Sequence, residues 1–453
     1  MRQAIQLLRE DRRARYFFLA LAQSAVGTGV GYVALILIAY ERFESPWAIG
    51  LVLFADLVPA MLLGPVFGAA ADRWSKRTCL IVADVVRAGA FAGIALVSSI
   101  EATIVLAAVA GTGTGLFGPA ALSALPGLVG ERRVAAGTSL YGAIADLGYT
   151  IGPALAAGLL LVLEPDALVA VNGASFAVSA LVLATLRFGQ AAERDRPGRP
   201  ASLLREAWHG VSSTVAMPDV RIVLLASSAV LFCGGLFNVA ELPFATGELE
   251  LGDAGFSGLV ALFGLGFVAG SLVGASGGDL AHLKRRYLIG LLLMALSLVG
   301  LALAQAVAAA AAAFTAAGVA NGMVLVYERL IIQAATPKAL LGRVFGIKDS
   351  LTAWAFAAAF LSAGGLMDLA GIRSMLFLAG ALGAAVWLAA VVALRLAARR
   401  GSARDGADGS GDRRAGEDGA DLVRGRDAPL EVVDDGDQGV DDAGVELRAR
   451  TRE

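Results

Sequence analysis

Ionisable side chains stranded in apolar sequence are the residues of this chain with chemistry to offer. Asp56 stands three residues before Pro59, and Asp146 interrupts a run of small and apolar residues. Glu241 follows Asn238 by three residues, Glu328 follows Asn321 by seven and precedes Arg329, and Asp84 and Arg87 are spaced i,i+3. On a helix Asn238 and Glu241 share a face, as do Asn321 and Glu328, while Arg329 points about 100° away. A lone Asp at the centre of a bilayer costs about 2.5–3.5 kcal/mol, so such residues face a bundle interior or a wet cavity. A carboxylate in a low-dielectric cavity takes up a proton near neutral pH, which suits Glu328 and Asp146 to carrying one. Asp56 and Glu241 sit nearer the outer ends of their segments and have a second reading, reaching toward the interface. Asp84 and Arg87 read first as a structural pair, because each has its partner on the same helix. For all of them the alternative to transport chemistry is packing: buried pairs, or protonated acids bonded to neighbours.

Enzyme chemistry has no comparable basis. The two histidines, His209 and His282, fall in polar segments, no Cys/His group has metal spacing, and no Walker phosphate loop is present. The chain reads as a non-enzyme with no cofactor, metal or nucleic-acid partner. Cys79 and Cys233 lie in predicted helices, so no disulfide framework is expected.

The elements that must position these residues are membrane helices. The chain is 57% hydrophobic and only 17% charged, against roughly 25% charge in soluble domains. Its charges are bunched and leave twelve apolar windows, near 16–40, 47–71, 78–100, 102–129, 137–163, 167–187, 222–247, 255–278, 287–306, 307–333, 344–367 and 374–396. Each matches a hydrocarbon core about 30 Å thick at helical rise, and none alternates as a barrel strand would. The fold class is therefore an all-α polytopic membrane protein of twelve transmembrane helices. The ninth and tenth windows abut, which places a tight hairpin in the alanine-rich stretch near 306–312. The first window is too long for a signal-peptide core and reads as a retained helix. Arginine and lysine concentrate on alternate connections, leaving Arg42 and Arg373 on the other side, so both termini are expected in the cytoplasm.

The windows divide into two six-helix halves, 16–187 and 220–398, after an N-terminal segment 1–15. A connector at 188–219 opens with "GQAAERDRPGRP" and turns amphipathic in "SLLREAWHGVSSTV", as a helix lying on the membrane does. Segment 399–453 holds 15 acids against 8 arginines after residue 400 and reads as a disordered cytoplasmic tail, leaving the body near +5. The halves echo each other. "GAAADRWSKR" (68–77) corresponds to "GASGGDLAHLKRR" (274–286), with Asp72 and Asp279 207 residues apart. "LPGLVGERRVAAGTSL" (125–140) parallels "TPKALLGRVFGIKDSL" (336–351) at an offset of 211. Parallel repeats of this kind mark transporters that rock two bundles about a central site. Glycines cluster in "GTGTGLFGPA" and "GYTIGPALAAG", and Gln23, Gly27 and Gly31 form a stripe; such surfaces serve either static close packing or sliding.

The stretch from Gly68 through Asp72, Arg73, Lys76 and Arg77 resembles the signature loop between helices 2 and 3 of the major facilitator superfamily, with Ser75 in place of its second glycine. "VPAMLLGPVFGAAADR", "FGPAALSALPGLV" and "QAATPKALLGRVFGI" resemble its twelve-helix drug:proton antiporters related to macrolide and catecholate-siderophore exporters. "GYTIGPALAAG" is only similar to the antiporter motif of helix 5, and the fourth window lacks the arginine of many proton-coupled relatives. The resemblance implies a monomeric, bacterial plasma-membrane exporter of amphiphilic small molecules in exchange for protons. It also implies a latch in which Asp72 faces the N-terminus of the helix beginning near Phe345, while Arg73 and Arg77 pair with Asp84 or Asp349. The other readings are a dedicated exporter of a self-made siderophore or antibiotic, and a non-transporting membrane sensor or assembly partner.

Overall fold

The computed structural model describes residues 7–186, 214, 216–274, 278–337 and 340–423, with the side chains of Asp72, Arg73 and Asp146 outside the described set. Residues Met1–Ala397 form one compact unit and Ala398–Glu453 a second. Twelve long helices run in order: α1 (Arg12–Phe43), α2 (Pro46–Arg73), α3 (Lys76–Leu96), α4 (Ile100–Val129), α5 (Val134–Leu159), α6 (Pro165–Thr185), α7 (Pro218–Pro243), α8 (Asp253–Gly274), α9 (Leu280–Leu303), α10 (Val307–Ala335), α11 (Leu341–Ala370) and α12 (Ile372–Val423). Eleven of them are long and apolar enough to cross a membrane over their described residues, and α5 spans 26 residues.

Local sequence sets the helix ends. The Asp11 carboxylate accepts from the amides of Arg13 and Ala14 to start α1, and Ser99 caps α4 through Ala102. Pro165 and Pro218 open α6 and α7, where a missing N–H costs nothing. Gly130 ends α4 at φ 77 and Gly371 ends α11 at φ 79, a conformation that favours glycine. The break between α9 and α10 falls at residues 304–306, slightly before the stretch in which the sequence placed it.

The repeat is visible in atomic packing. A Cβ on Gly111 of α4 would lie 1.9 Å from the Asp56 carbonyl of α2, and one on Gly318 of α10 would lie 1.9 Å from the Phe263 carbonyl of α8. Gly115 against Ala60 and Gly322 against Phe267 repeat the match. All four positions are related by 207 residues, the offset of the Asp72/Asp279 echo. Glycine is required at these contacts because the helix backbones touch there. The echo is not copied at the loop itself. Three alanines carry α2 through Asp72 and Arg73, whereas Gly277 and Gly278 precede Asp279, which becomes the N-cap of α9 and accepts from the His282 amide at 2.9 Å. That amide bond, followed by the His282 ring, holds the Asp279 carboxyl below its ordinary value.

One end of the bundle carries the basic connections and is called here the basic end; the other is the far end. At the far end a single apolar core joins both halves, from Val30–Ala39 and Ala48–Ala55 to Leu236–Ala245 and Ala359–Met367. At the basic end the halves keep separate cores, one around Phe17, Leu80 and Leu125 and another around Val223, Tyr287 and Tyr327. The two bundles thus meet at the far end and part toward the basic end.

The far-end arginines, exceptions to the charge asymmetry, have a structural explanation. Arg42 bonds the carbonyls of Ile94 and Val97 and pairs with Asp166, at the C-terminus of α3. Arg373 donates to Ala302 and Ala304 at 3.1 and 2.7 Å and pairs with Glu248 at 2.5 Å, at the C-terminus of α9. Each cation neutralises the negative end of a helix dipole. Two expectations fall largely on residues outside the described set. The connector helix at 202–215 lies almost wholly outside the described residues. The backbone of α12 is helical to Val423, and residues 424–453 of the expected tail lie outside the described set.

Candidate functional site

Helices α1, α5, α7, α8, α9, α10 and α11 enclose a cavity of about 370 Å³ between the halves. Its wall is mainly aromatic and aliphatic, with Phe237, Phe263, Phe267 and Phe356 beside Met294 and Val324. Asn238 and Glu241 of α7 and Asn321 of α10 enter it together, so three of the sequence candidates converge on one space. Tyr32 of α1 and Pro153 of α5 complete the wall from the first half.

Glu241 does not reach toward the interface. Its side chain is 4% exposed, and the Tyr32 hydroxyl donates to its Oε1 at 3.1 Å across the two halves. Among the described lining residues it is the single charged side chain. The Phe237 ring stands 6.0 Å from that of Phe263 and 5.0 Å edge-on to that of Phe314, which fixes one aromatic wall.

Glu328 occupies a different place. Seven residues from Asn321 is about 10 Å along a helix, and the structure puts Glu328 below the cavity, inside the second half, at 1% exposure. It lies beside Ser227, whose hydroxyl is 2.8 Å from that of Tyr287; Tyr287 in turn donates to the Val223 carbonyl at 3.1 Å. Among the described residues the Glu328 Oε2 has no hydrogen-bond partner. Arg329 is exposed, as its helical angle predicts.

In the first half Asp84 and Arg87 form a buried ion pair. The Arg87 guanidinium lies between the rings of Phe117 and Phe176, 4.4 and 4.2 Å from their centroids. Asp56 is half-buried with Arg87 within electrostatic reach. Its counterpart at the 207-residue offset, Phe263, lines the cavity.

Of the pairings expected of the basic loop, those of Asp72 and Arg73 lie outside the described side chains, and that of Arg77 differs from the one observed. Arg77 donates to the Ala184 carbonyl at the end of α6, Asp84 takes Arg87, and the exposed Asp349 pairs with Lys348 at 3.2 Å. Asp84 is taken by Arg87 on its own helix, and the parting of the halves at this end leaves the carbonyl end of α6, rather than Asp349, as the negative site for Arg77. Likewise Lys284 pairs with Asp219 at 2.6 Å and Arg133 with Glu10 at 2.8 Å, each inside its own half. Among the described residues, a Cβ on Gly68 would meet nothing within 4 Å. The glycine stripe of α1 packs within the first half: Gly27 and Gly31 abut Ser175 and Asn172 of α6, and Gln23 donates to the Ser175 carbonyl at 2.9 Å.

Sequence reasoning missed two groups. Tyr32 had a signal, a polar-tipped side chain in the middle of an apolar window. The far-end seat of Trp47 had none: its indole donates to Asp368 at 2.9 Å and rests on Gly364, where a Cβ would lie 2.6 Å from the ring.

A family model described as the Major Facilitator Superfamily matches residues 17–347. The chain is 28% identical over 423 residues to "Multidrug efflux pump Tap" of Mycobacterium tuberculosis (strain ATCC 25618 / H37Rv), covering 87% of this chain and 96% of that one. It is 21% identical over 378 residues to "Macrolide efflux protein A" of Streptococcus pyogenes, covering 80% and 91%. Among solved structures it resembles the nucleoside transporter NupG at TM-score 0.68 and 11% identity, covering 84% and 99%. It also resembles an inward-facing, unoccupied bacterial Spinster homologue at TM-score 0.65 and 14% identity, covering 84% and 95%.

Proposed function

The chain belongs to the major facilitator superfamily, and on that premise we propose that it exports amphiphilic small molecules across the cytoplasmic membrane in exchange for protons. The observation that carries this reading is the central cavity, apolar on most of its wall and provided with a buried carboxylate at Glu241. Such a wall accepts greasy compounds of varied shape. The carboxylate alternates between a bound proton and the charged form. The named activities of the Tap and macrolide relatives support export rather than uptake.

The basic end faces the cytoplasm, following the arginine and lysine asymmetry. On this reading the cavity is reached from inside and sealed by the shared far-end core. Rocking of the halves closes the basic end and opens the far end. In that closed state Asp72 faces the start of α11 as a latch, worth about 0.3–1 kcal/mol if exposed and about 2 if partly buried. One proton moving down about 150 mV supplies roughly 3.5 kcal/mol, and a one-unit pH difference adds about 1.4. Together they support a gradient of roughly several thousandfold for an uncharged substrate exchanged one for one.

The test is reconstitution into liposomes with an imposed pH gradient, screened against amphiphilic compounds. Gradient-driven flux of at least one compound, lost on collapsing the gradient, supports the proposal. Flux that ignores the proton gradient contradicts antiport, and absence of flux across the panel contradicts export.

A further inference from the structure

We propose that the glycine floor at Gly364 and Gly365, with Asp368 at its rim, is a release site for planar aromatic compounds bearing a ring N–H. Trp47 fills it in this structure, vacates it when the far end opens and reclaims it on closing. The seat is independent of the export reading, whereas its role in release rests on that reading.

The chain's own side chain shows what the seat fits. The Trp47 indole lies where two side chains would otherwise begin. A Cβ on Gly364 would be 2.6 Å from its Cγ and Cδ2, and one on Gly365 would be 3.0 Å from its Cζ2. Without those atoms the α11 backbone is a flat surface for a fused ring. At the rim the exposed Asp368 carboxylate accepts the indole N–H at 2.9 Å. That bond is charge-assisted, and a ring without an N–H cannot make it. Size, flatness and one donor define the class. The repeat argues that this set is more than packing. At the offsets of 207 and 211 residues, Trp47 corresponds to Ala254, and Gly364, Gly365 and Asp368 correspond to Pro153, Ala154 and Ala157. The matching seam between α5 and α8 closes with no ring and no acid at these positions.

The seat is reached from the cavity along one face of α11. Phe356 lines the cavity, and Phe360 and Gly364 follow it on the same i, i+4 row of the helix. The rings of Phe356 and Phe360 are 5.7 Å apart, and Gly364 lies about 12 Å beyond Phe356 along the axis. With the far end closed, α2 covers this track. A Cβ on Gly50 would lie 2.2 Å from the Phe360 carbonyl, and Trp47 stands at the outer edge, 39% exposed. Trp47 belongs to the first half and the seat to the second, so parting of the halves uncovers track and seat together. A compound leaving the cavity then meets two rings and the vacant floor before open water. Closing returns a tethered indole, whose effective concentration a dilute free compound does not match. The compound is displaced outward and is not carried back.

The test is saturable binding of 5-fluoroindole, followed by fluorine NMR, to the purified full chain in nanodiscs. Trp47→Ala is expected to bind it at least tenfold tighter than wild type, whose own indole holds the seat. Adding Gly364→Ala, which places a Cβ in the floor, should remove that gain. The N-methyl analogue of the probe should bind Trp47→Ala at least threefold more weakly. Equal binding to wild type and Trp47→Ala overturns the proposal, as does a gain that survives Gly364→Ala, and equal affinity of the two probes overturns the N–H requirement. Trp47→Leu serves in the same comparison should Trp47→Ala fail to fold. In proteoliposomes Trp47→Ala should slow flux of a transported ring N–H compound at least threefold more than flux of its N-methyl analogue; equal slowing overturns the release role. Seat binding without flux of any compound refutes export and leaves the seat standing. Flux without seat binding refutes the seat and leaves export standing.

Discussion

At the scale of single residues, the structure sorts the intramembrane charges by what surrounds them. Glu241 meets the cavity, Glu328 lies behind it, and Asp84 with Arg87 is sealed against two aromatic rings. We expect Glu241→Gln to lower proton-driven flux in proteoliposomes by more than tenfold, and Glu328→Gln by less; equal losses would move the coupling site away from the cavity. The Asp84–Arg87 pair makes a separate prediction. Arg87→Met strands a buried carboxylate and should cost about 3–5 kcal/mol of stability, whereas Asp84→Leu with Arg87→Met should recover most of it. Thermal unfolding in detergent measures both, and a double variant that is stable yet inactive would place the pair in the mechanism. The sequence made the existence of these charges legible, because a charge in an apolar window is conspicuous. It left their separation hidden, because helical periodicity orders residues around an axis and is silent on how far along that axis a cavity extends. Asn321 and Glu328 share a face and yet belong to different environments for that reason.

At the scale of elements, the backbone contacts between α2 and α4 and between α8 and α10 are the strongest constraint. Gly318→Val pushes its methyls into the Phe263 carbonyl, so it should sharply reduce folded yield, with a cost of about 1–3 kcal/mol or more. Gly118→Val, with open space around its Cβ, should leave yield unchanged. Size-exclusion profiles of the two variants compare them directly. The far-end seat makes a functional prediction. Gly364→Leu fills the place where the Trp47 indole rests, so the far end cannot close and labelling of cavity residues from the basic side should fall. Unchanged labelling would show that the seat does not seal the cavity. The windows and their order were legible because each hydrophobic run matches a bilayer. The pairing of Arg42 and Arg373 with the carbonyl ends of α3 and α9 was not, since it depends on helices brought together in space.

At the scale of the whole molecule, two similar bundles share a core at one end and separate at the other. The repeat could be read from echoed loops, and the register of 207 residues recurs in the glycine contacts. The direction of opening could not be read, because under the proposed rocking one sequence would serve both states. The central claim is that the halves rock about the cavity. Its most direct test is a pair of spin-label distances between α2 and α11 in one cysteine-free background, with Cys79 and Cys233 replaced by Ala. One pair sits at the basic end, at Trp74 just after α2 and Asp349 of α11, and the other at the far end, at Glu44 just before α2 and Leu369 of α11, all exposed positions. On imposing a proton gradient with transported compound present, the basic-end distance should shorten while the far-end distance lengthens. Flux continuing with both distances fixed, or with both changing in the same sense, would contradict the account.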